Sequence, residues 1–272
     1  MYSILNGNFI PENEATILAT DKGYFFDFSV YDSLKVIKGK PFFPTFHIER
    51  LLDSAAQLSI VHPFALQEVK AWLMQLIEKN ALEDAYVRML LIGDPAGNAE
   101  KAKLFISSVT GVTYYPNSYY SEGIKTITYQ GERRFPTAKT TELLLAFMAR
   151  NEATKHDAEE ALLVDQEGCI REGSSSNFFA IRGDKLIMPP DEKNLLGITK
   201  KILLELAEPE LKIVKQDIPL GDIASYDEVF ITSTLRNVMP IRQIDDIIFE
   251  NGFEKTKVLA SKFKAYYKKN VL

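Results

Sequence analysis

Three stretches of the sequence indicate most about its fold: residues 139–153, KTTELLLAFMARNEA; residues 160–165, EALLVD; and residues 172–179, EGSSSNFF. The first has apolar residues at helical spacing behind a lysine and predicts a helix over about 140–156 that Lys139 opens. The second is a short apolar run and predicts a strand. The third predicts a polar turn that leads into a further strand.

Strands and helices are predicted on both sides of these stretches. Before them the pattern predicts a strand over 30–37, helices over about 45–59 and 65–80, and strands over 85–92 and 102–110. Beyond residue 123 it predicts a strand over 124–130, short strands between 160 and 188, a helix from 197, strands near 228 and 238, and a helix from about 253. Runs of strands with helices grouped between them favour an α+β fold over a doubly wound parallel sheet.

A polar segment divides the chain. Residues 111–123 contain Pro116, Asn117, two serines and four tyrosines between two glycines, a composition typical of a loop. The chain has 272 residues and exceeds a typical single domain. We therefore predict an N-terminal α+β domain over 1–115, an interdomain loop over 116–122, and a C-terminal α+β domain over 123–272 that carries Lys139.

The composition limits the classes of function. The chain is 46% hydrophobic and 25% charged with a net charge of −5, which is typical of a globular protein and provides no basic surface for nucleic acid. There is no apolar run of membrane-spanning length and no basic leader, so we expect a cytoplasmic protein. The single cysteine, Cys169, excludes an intrachain disulfide, and three dispersed histidines give no metal-ligand pattern. Small molecules are the expected partners.

The order and spacing of the three opening stretches resemble the core signature of the class IV aminotransferases. Shorter matches extend over nearly the whole chain: Asp21-Lys22-Gly23-Tyr24, Val30-Tyr31, His47 with Arg50-Leu51, Gly197-Ile198-Thr199, and Thr232-Ser233-Thr234 with Pro240-Ile241. The resemblance implies a two-domain fold type IV enzyme, similar to D-amino-acid aminotransferase, with pyridoxal 5′-phosphate as its cofactor. It also implies a homodimer, and the aromatic residues Tyr24, Phe25 and Phe26 suit an interface.

The resemblance implies a role for each matched residue, and the chemistry of the cofactor gives the reason. Lys139 would hold the cofactor covalently and move a proton. Glu172 would keep the pyridine nitrogen of the cofactor protonated. The residues that would bind the cofactor phosphate are Arg50, Ile198 and Thr199 at a helix start, and Thr234.

Taken alone, each of these residues has a simpler interpretation. A lysine or an arginine is most often a solvated surface charge, and residues 172–177 by themselves are a polar turn. Ser174, Ser175 and Ser176 could suggest a nucleophilic serine, but neither a strand-turn-helix elbow nor a nearby histidine accompanies them. The combination of matches therefore predicts the enzyme, and no single residue does.

The substrate is less closely defined by the sequence. The predicted substrate-binding residues are Phe26, Tyr31 and Arg88. Residues 85–94 resemble the branched-chain enzymes, in which the arginine matching Arg88 helps to accept the side-chain carboxylate of glutamate. We expect Arg88 to be flanked by apolar residues on a strand that faces the pocket, with a structural ion pair as the alternative. The D-amino-acid type resembles this chain at 21–24 and 172–177, yet its carboxylate-binding Arg-x-His is absent from residues 94–101.

One position departs from the branched-chain pattern. Those enzymes carry Asn-Tyr shortly after the lysine, where the tyrosine meets the 3′ oxygen of the cofactor, and this chain has Leu143 and Leu144 there. We predict that Arg133 or Arg134 replaces that contact.

The predicted function is a transaminase that moves an amino group between an amino acid, either branched-chain or hydrophobic or of the D series, and a 2-oxo acid such as 2-oxoglutarate. The alternatives are an aminodeoxychorismate lyase, which eliminates pyruvate, and an R-amine transaminase. A degenerate scaffold without activity is disfavoured because the lysine, the glutamate and the phosphate ligands are all retained.

Overall fold

The chain divides into two compact units. The computed structural model describes residues 1–112, 114–208, 210–250 and 252–271. The first unit comprises Met1–Thr113, Ala138–Glu142 and Asn270–Leu272, and the second comprises Tyr114–Thr137 and Leu143–Lys269. Both units combine helices and strands, which confirms the predicted α+β class.

The first unit is built on an antiparallel sheet. Its strands are β1 (Tyr2–Leu5), β2 (Asn8–Pro11), β3 (Ser29–Ile37), β4 (Lys40–Pro41), β5 (Ala85–Ile92) and β6 (Lys103–Thr110), in the order β2-β1-β6-β5-β3-β4. Its helices are α1 (Lys22–Phe25), α2 (Pro44–Gln57) and α3 (Leu66–Lys79). These bounds confirm the strands predicted at 30–37, 85–92 and 102–110 and the helices predicted at 45–59 and 65–80.

The core of the first unit lies between one face of this sheet and the helices α2 and α3. The buried residues of β3 on this face are Val30, Leu34 and Val36, and those of α2 are Ile48, Leu51 and Ala55. They follow the period of two that a strand with one covered face requires and the spacing of three to four that a helix requires. Tyr31 and Ser33, which alternate with the core residues of β3, therefore point to the other face of the sheet.

The second unit contains a mixed sheet. Its strands are β7 (Ile124–Gln130), β8 (Glu160–Val164), β9 (Ile170–Gly173), β10 (Asn177–Arg182), β11 (Lys185–Met188), β12 (Lys212–Lys215), β13 (Glu228–Ser233), β14 (Asn237–Ile244) and β15 (Ile247–Ile248). The order is β12-β11-β10-β13-β14-β7-β8-β9, with β15 paired to β14. Its helices are α4 (Asn117–Ser121), α5 (Leu144–Lys155), α6 (Ile198–Ala207) and α7 (Glu254–Asn270). Helix α4 occupies the segment predicted as an interdomain loop.

The segment around Lys139 differs from the prediction. Helix α5 begins at Leu144, and residues 138–142 are not helical. Thr140 forms an antiparallel bridge with Val30, and the N–H of Tyr31 donates to the carbonyl of Lys139 at 2.9 Å. The pairing with β3 and the β-branched side chain of Thr140 favour an extended backbone here. Residues 138–142 consequently belong to the first unit, whereas the sequence placed them in the C-terminal domain.

Two smaller features concern the expectations from composition. Within the described ranges, each helix is too short or too polar to cross a bilayer. Cys169 is a free, buried thiol, and its main chain forms an isolated bridge with Pro219. Cys169 therefore has the surroundings of a small packing residue.

Candidate active site

Lys139 is held by its main chain in the first unit. Its carbonyl accepts from the N–H of Tyr31, and its own N–H donates to Oγ of Ser54 at 3.0 Å. The Ser54 hydroxyl in turn donates to the carbonyl of Arg50 at 2.7 Å. The side chain of Lys139 is half-buried, and its Nζ lies 4.7 Å from the centroid of the Tyr31 ring. Strand β3 and helix α2 together fix the point from which the lysine side chain leaves the backbone.

Asp32 anchors Arg50 beside this segment. Its position on β3 places the side chain on the core face between Val30 and Leu34, where the carboxylate is fully buried. Arg50 donates to it twice, from Nε at 2.7 Å and from Nη2 at 2.9 Å. Burial would raise the pKa of the Asp32 carboxyl, but the charge of Arg50 and the hydrogen bonds from His47 and Arg50 outweigh burial and hold this pKa well below its usual range. The guanidinium of Arg50 is thereby fixed by a charged partner.

His47 completes this buried group. Its Nδ1 lies 2.7 Å from Oδ1 of Asp32, and the ring has no exposed surface. Burial lowers the pKa of His47, and Asp32 only partly opposes this effect. A neutral ring donates from Nδ1 to the carboxylate. The other ring nitrogen, Nε2, is buried and has no hydrogen-bond partner among the described residues. His47 belongs to the matched sequence pattern, whereas Asp32 was not among the predicted site residues. The signal for Asp32 in the sequence is a charged residue at a core-facing position of a strand.

The face of the first sheet opposite its core carries two of the predicted substrate residues. Arg88 on β5 is directly opposite Ser33 on β3, so it shares a face with Ser33 and Tyr31. Arg88 is exposed, and its apolar neighbours in the sequence, Val87 and Met89, point into the core on the other face of the sheet. Phe26, the third predicted residue, follows α1 and is 63% exposed.

Glu172 is the central carboxylate of the second unit's candidate residues. It lies near the end of β9 and is 5% exposed. Its Oε1 accepts from Nε of Arg133 at 2.6 Å, and its Oε2 accepts from the N–H of Leu195 at 3.2 Å. Each carboxylate oxygen can accept a further hydrogen bond. Arg133 is therefore the partner of Glu172, while a contact of Arg133 or Arg134 with a cofactor 3′ oxygen stays a prediction.

The start of α6 has the features of a phosphate site. Gly197 is the N-cap residue and provides no side-chain cap, so the first N–H groups of the helix lack an intrahelical acceptor. The hydroxyl of Thr199 is buried and has no partner among the described residues. A Cβ on Gly197 would overlap Oδ1 of Asn177, so only glycine fits this approach. A phosphate oxygen would satisfy both the N–H groups at Ile198 and Thr199 and the orphaned hydroxyl.

Thr234 lies in the turn between β13 and β14 and is half-buried. The turn is closed by the N–H of Arg236, which donates to Oγ of Ser233 at 3.1 Å. The hydroxyl of Thr232, at the end of β13, is buried without a partner within the described ranges. Thr232 is thus a second orphaned hydroxyl, and the sequence singled it out only as part of the matched Thr232-Ser233-Thr234 triplet.

Each unit gathers its own set of predicted residues. The first unit holds Phe26, Tyr31, Arg50, Arg88 and Lys139, and the second holds Glu172, Ile198, Thr199 and Thr234. The first set pairs a lysine and an arginine with a sheet face. The second pairs a buried carboxylate with a helix start and a polar turn.

Comparison with known proteins gives a consistent family. The model of the class IV amino-transferases matches residues 29–244. A putative branched-chain-amino-acid aminotransferase of Methanocaldococcus jannaschii is 30% identical over 275 residues, which cover 96% of this chain and 94% of the relative. A D-alanine aminotransferase of Bacillus licheniformis is 30% identical over 260 residues, which cover 93% of this chain and 91% of the relative.

Solved structures share the fold. The branched-chain amino acid aminotransferase of Escherichia coli has a TM-score of 0.87 at 24% identity, with coverage of 97% of this chain and 93% of the other. The branched-chain aminotransferase of Thermoproteus uzoniensis, solved with norvaline, has a TM-score of 0.82 at 24% identity, with coverage of 97% and 93%. These similarities confirm the predicted fold class.

Proposed function

The chain belongs to the class IV aminotransferases, which are pyridoxal-phosphate enzymes, and on this premise we propose how its residues serve transamination. Lys139 binds pyridoxal 5′-phosphate covalently and moves protons during the reaction. The other predicted residues hold the cofactor or recognise the substrates. Contacts within each unit support these roles.

The surroundings of Lys139 carry the proposal. Its main chain is bound to Tyr31 and Ser54, and its amine lies against an aromatic ring. No carboxylate in the described parts of the chain forms an ion pair with it. A surface lysine is normally solvated or paired with an acid. A half-buried amine that is positioned by its backbone and has no acidic partner is suited to react with an aldehyde.

The cofactor and the protein divide the chemistry between them. When bound, pyridoxal phosphate supplies an aldehyde that takes up amino groups and a ring that withdraws electrons. Lys139 supplies the amine that holds the cofactor and the base that takes a proton from the substrate and returns it. Glu172 accepts a hydrogen bond from the ring nitrogen and favours its protonated form. The residues that bind the phosphate are Arg50, Ile198, Thr199 and Thr234.

The amino donor is a branched-chain or other hydrophobic amino acid, or a D-amino acid, and the acceptor is a 2-oxo acid such as 2-oxoglutarate. The names of the two relatives support both donor classes at equal identity. Arg88, exposed on the face that carries Tyr31, would bind the distal carboxylate of the acceptor. Phe26 would contact the donor side chain.

A panel of donors and acceptors tests this function. The purified protein is incubated with L- and D-forms of leucine, valine, alanine and glutamate, with either 2-oxoglutarate or pyruvate as acceptor, and both new products are measured by mass spectrometry. We expect stoichiometric formation of a new amino acid and a new 2-oxo acid in pairings whose donor is not the amino form of the acceptor. Release of pyruvate from aminodeoxychorismate without any acceptor would instead identify a lyase, and turnover of R-amines alone would identify an amine transaminase.

The active unit is a homodimer in this proposal. Three consecutive aromatic residues of the first unit are exposed, Tyr24 by 56%, Phe25 by 74% and Phe26 by 63%, and exposed aromatic surface of this kind suits a protein interface. Sedimentation velocity at catalytic concentrations should give twice the mass of the chain. An active species with the mass of one chain would contradict it.

A further inference from the structure

A buried carboxylate in the second unit gathers the three serines of the signature. Glu160 begins β8 and has no exposed surface. Its Oε1 accepts from the hydroxyl of Ser174 and from the N–H of Ala161, and its Oε2 accepts from the hydroxyls of Ser175 at 3.0 Å and Ser176 at 3.1 Å. The three serine hydroxyls are therefore hydrogen-bond donors to one carboxylate, which is a structural role and differs from that of a nucleophile.

Arg236 provides the counter-charge. Its Nη1 donates to Oε2 of Glu160 at 3.0 Å and to Oγ of Ser175 at 2.9 Å, and its Nη2 donates to the carbonyl of Glu159 at 3.0 Å. The guanidinium lies 5.3 Å from the centroid of the Tyr115 ring, and the residue is 7% exposed. Removing either member of such a pair leaves an uncompensated charge away from water.

The pair joins two turns of the second unit. The turn at 174–176 directly follows Glu172 and Gly173, and the N–H of Gly173 donates to the carbonyl of Ser176 at 2.7 Å. The turn at 234–236 directly follows β13 and contains Thr234. Arg236 lies 76 positions from Glu160 in the sequence. A tie between these two turns therefore restricts the backbone on both sides of it.

A second buried arginine in the same unit provides a contrast. Arg171 is 2% exposed and pairs with Asp165, which is 3% exposed, and also with Glu167 and Asp217. Glu167 is 69% and Asp217 is 49% exposed, so this group extends to the surface. Asp165 also accepts from the N–H groups of Glu167 and Cys169, which closes the turn between β8 and β9. None of the predicted cofactor ligands is a partner in the interactions described for this group.

We propose that Glu160 and Arg236 form a clamp, assisted by Ser174, Ser175 and Ser176, that positions for the cofactor the turn directly after Glu172 and the turn that carries Thr234. These five are positioning residues, which act through the turns that they hold. The inference rests on the proposed function, since Glu172 and Thr234 are cofactor ligands only there. The clamp itself is a property of the protein without cofactor, and it can be measured separately.

The test compares Arg236→Met with Arg171→Met, because both remove a buried guanidinium from a buried carboxylate in the same unit. Hydrogen exchange of the apoprotein, read by mass spectrometry, should show faster exchange of the amides at 233–237 and 173–177 in Arg236→Met than in the wild type. Arg171→Met should leave these amides unchanged while lowering the melting temperature. Arg236→Lys, which retains the charge, should restore part of the protection.

Cofactor titration gives the second readout. Apoprotein is titrated with pyridoxal 5′-phosphate, and binding is followed by absorbance. Arg236→Met and Glu160→Gln should each raise the Kd at least about tenfold, as expected for a lost charge-assisted contact, and Arg171→Met should match the wild type. If Arg236→Met or Glu160→Gln does not fold, Ser175→Ala removes one donor without removing a charge and should show the same effects to a smaller degree.

The outcomes separate the two proposals. Exchange rates and Kd values for Arg236→Met that equal those of Arg171→Met would overturn the clamp. Wild-type protein that binds no pyridoxal 5′-phosphate would overturn the proposed function, and the exchange measurement would still decide whether Glu160 and Arg236 hold the turns.

Discussion

The two units hold their candidate residues by different means. In the first, the side chains project from or beside regular structure: Tyr31 and Arg88 from strands, Arg50 from α2, and Lys139 from a segment paired to β3. In the second, Glu172 lies at the end of a strand, Thr199 in the first turn of a helix and Thr234 in a turn. Regular structure fixes a backbone by its own hydrogen bonds, whereas a turn needs side chains to fix it.

Each unit contains a buried carboxylate that binds an arginine. The arginine is itself a proposed cofactor ligand in the first unit, whereas in the second unit it supports a turn that carries a ligand. Asp32 orients Arg50, which is itself a proposed phosphate ligand. Glu160 binds Arg236, which supports the turn that carries the proposed ligand Thr234. In cofactor binding, loss of Asp32 should therefore affect the single ligand Arg50. Loss of Glu160 or Arg236 should affect the contacts made on both sides of the clamp.

The largest effect should come from Lys139→Ala in the first unit. This change removes the group that holds the cofactor and transfers the proton, and a positioned acid-base group contributes about 10²–10⁴-fold to the rate. Initial rates of transamination measure the loss. Lys155→Ala, an exposed lysine 70% accessible on α5, is the matched control and should keep the wild-type rate. Activity of Lys139→Ala within tenfold of the control would show that another group does this work.

The corresponding test of the second unit is Glu172→Gln. The amide keeps the shape of the side chain but loses the charge that favours a protonated ring nitrogen, so turnover should fall about 10²-fold. Cofactor binding should persist because the phosphate ligands are unchanged. Glu167→Gln, a 69% exposed acid in the neighbouring turn, is the control. Wild-type kcat in Glu172→Gln would remove Glu172 from its role.

Asp32→Asn tests the anchoring pair of the first unit. The change leaves Arg50 beside a neutral partner in a buried site and should destabilise the fold by about 3–5 kcal/mol, measured by urea unfolding. Asp53→Asn, an exposed acid on the same helix as Arg50, should change the free energy of unfolding by less than about 0.5 kcal/mol. Equal stability of the two variants would contradict the account of Asp32.

The same pair has a pH dependence. The pKa of Asp32 is lowered in the folded protein, so its stabilising effect is complete above the unfolded pKa of about 3.9 and is lost as the pH falls further. The difference in free energy of unfolding between wild type and Asp32→Asn should therefore shrink below about pH 4. A difference that grows on acidification would have the wrong sign.

Arg88→Leu should act on one substrate only. If Arg88 binds the distal carboxylate of 2-oxoglutarate, its loss should lower kcat/KM for this acceptor about ten- to a hundredfold and leave pyruvate almost unaffected, since pyruvate lacks that group. Because the side chain is exposed, the melting temperature should stay near that of the wild type. Equal losses with both acceptors would remove the specificity role.

The smallest effect concerns Lys35 on β3. Burial lowers the pKa of its amine to about 8, and the group lies 4.7 Å from the centroid of the Phe42 ring. The unfolded chain binds more protons at Lys35 between about pH 8 and 10.4, so this lysine makes stability rise with pH in that window. Lys35→Met should flatten the rise in urea unfolding experiments. A slope identical to that of the wild type would contradict it.

The sequence was sufficient where one face of an element is covered. Strands β3, β5 and β6 and helices α2 and α3 were predicted because their apolar residues repeat with the period of the element. The start of α5 was wrong by several residues. Its apolar pattern begins near Lys139, but pairing of Thr140 with Val30 draws that segment into the first unit's sheet. Such pairing depends on residues about 110 positions apart and leaves no local signal.

The buried polar groups around Asp32 and Glu160 could not be predicted from the sequence, for a related reason. Asp32 occupies a core position of β3, where in the sequence alone it interrupts an apolar pattern. The fold brings Arg50 and His47 into contact with it. The pattern around Glu160 predicts only the first residue of a strand, because its partner Arg236 is far away in the chain. The role of a buried charge depends on its partners, and only the fold brings these partners together. The sequence motif therefore predicted Lys139 and Glu172 but not the residues that hold the candidate site in place.

Reduction with borohydride followed by peptide mapping shows directly whether Lys139 is the residue that binds the cofactor. The protein is loaded with pyridoxal 5′-phosphate, reduced, digested and analysed by tandem mass spectrometry, with Lys139→Ala treated in parallel. We expect one reduced phosphopyridoxyl group per chain, located on Lys139 and absent from the variant. A label on another lysine, or equal labelling of Lys139→Ala, would contradict it.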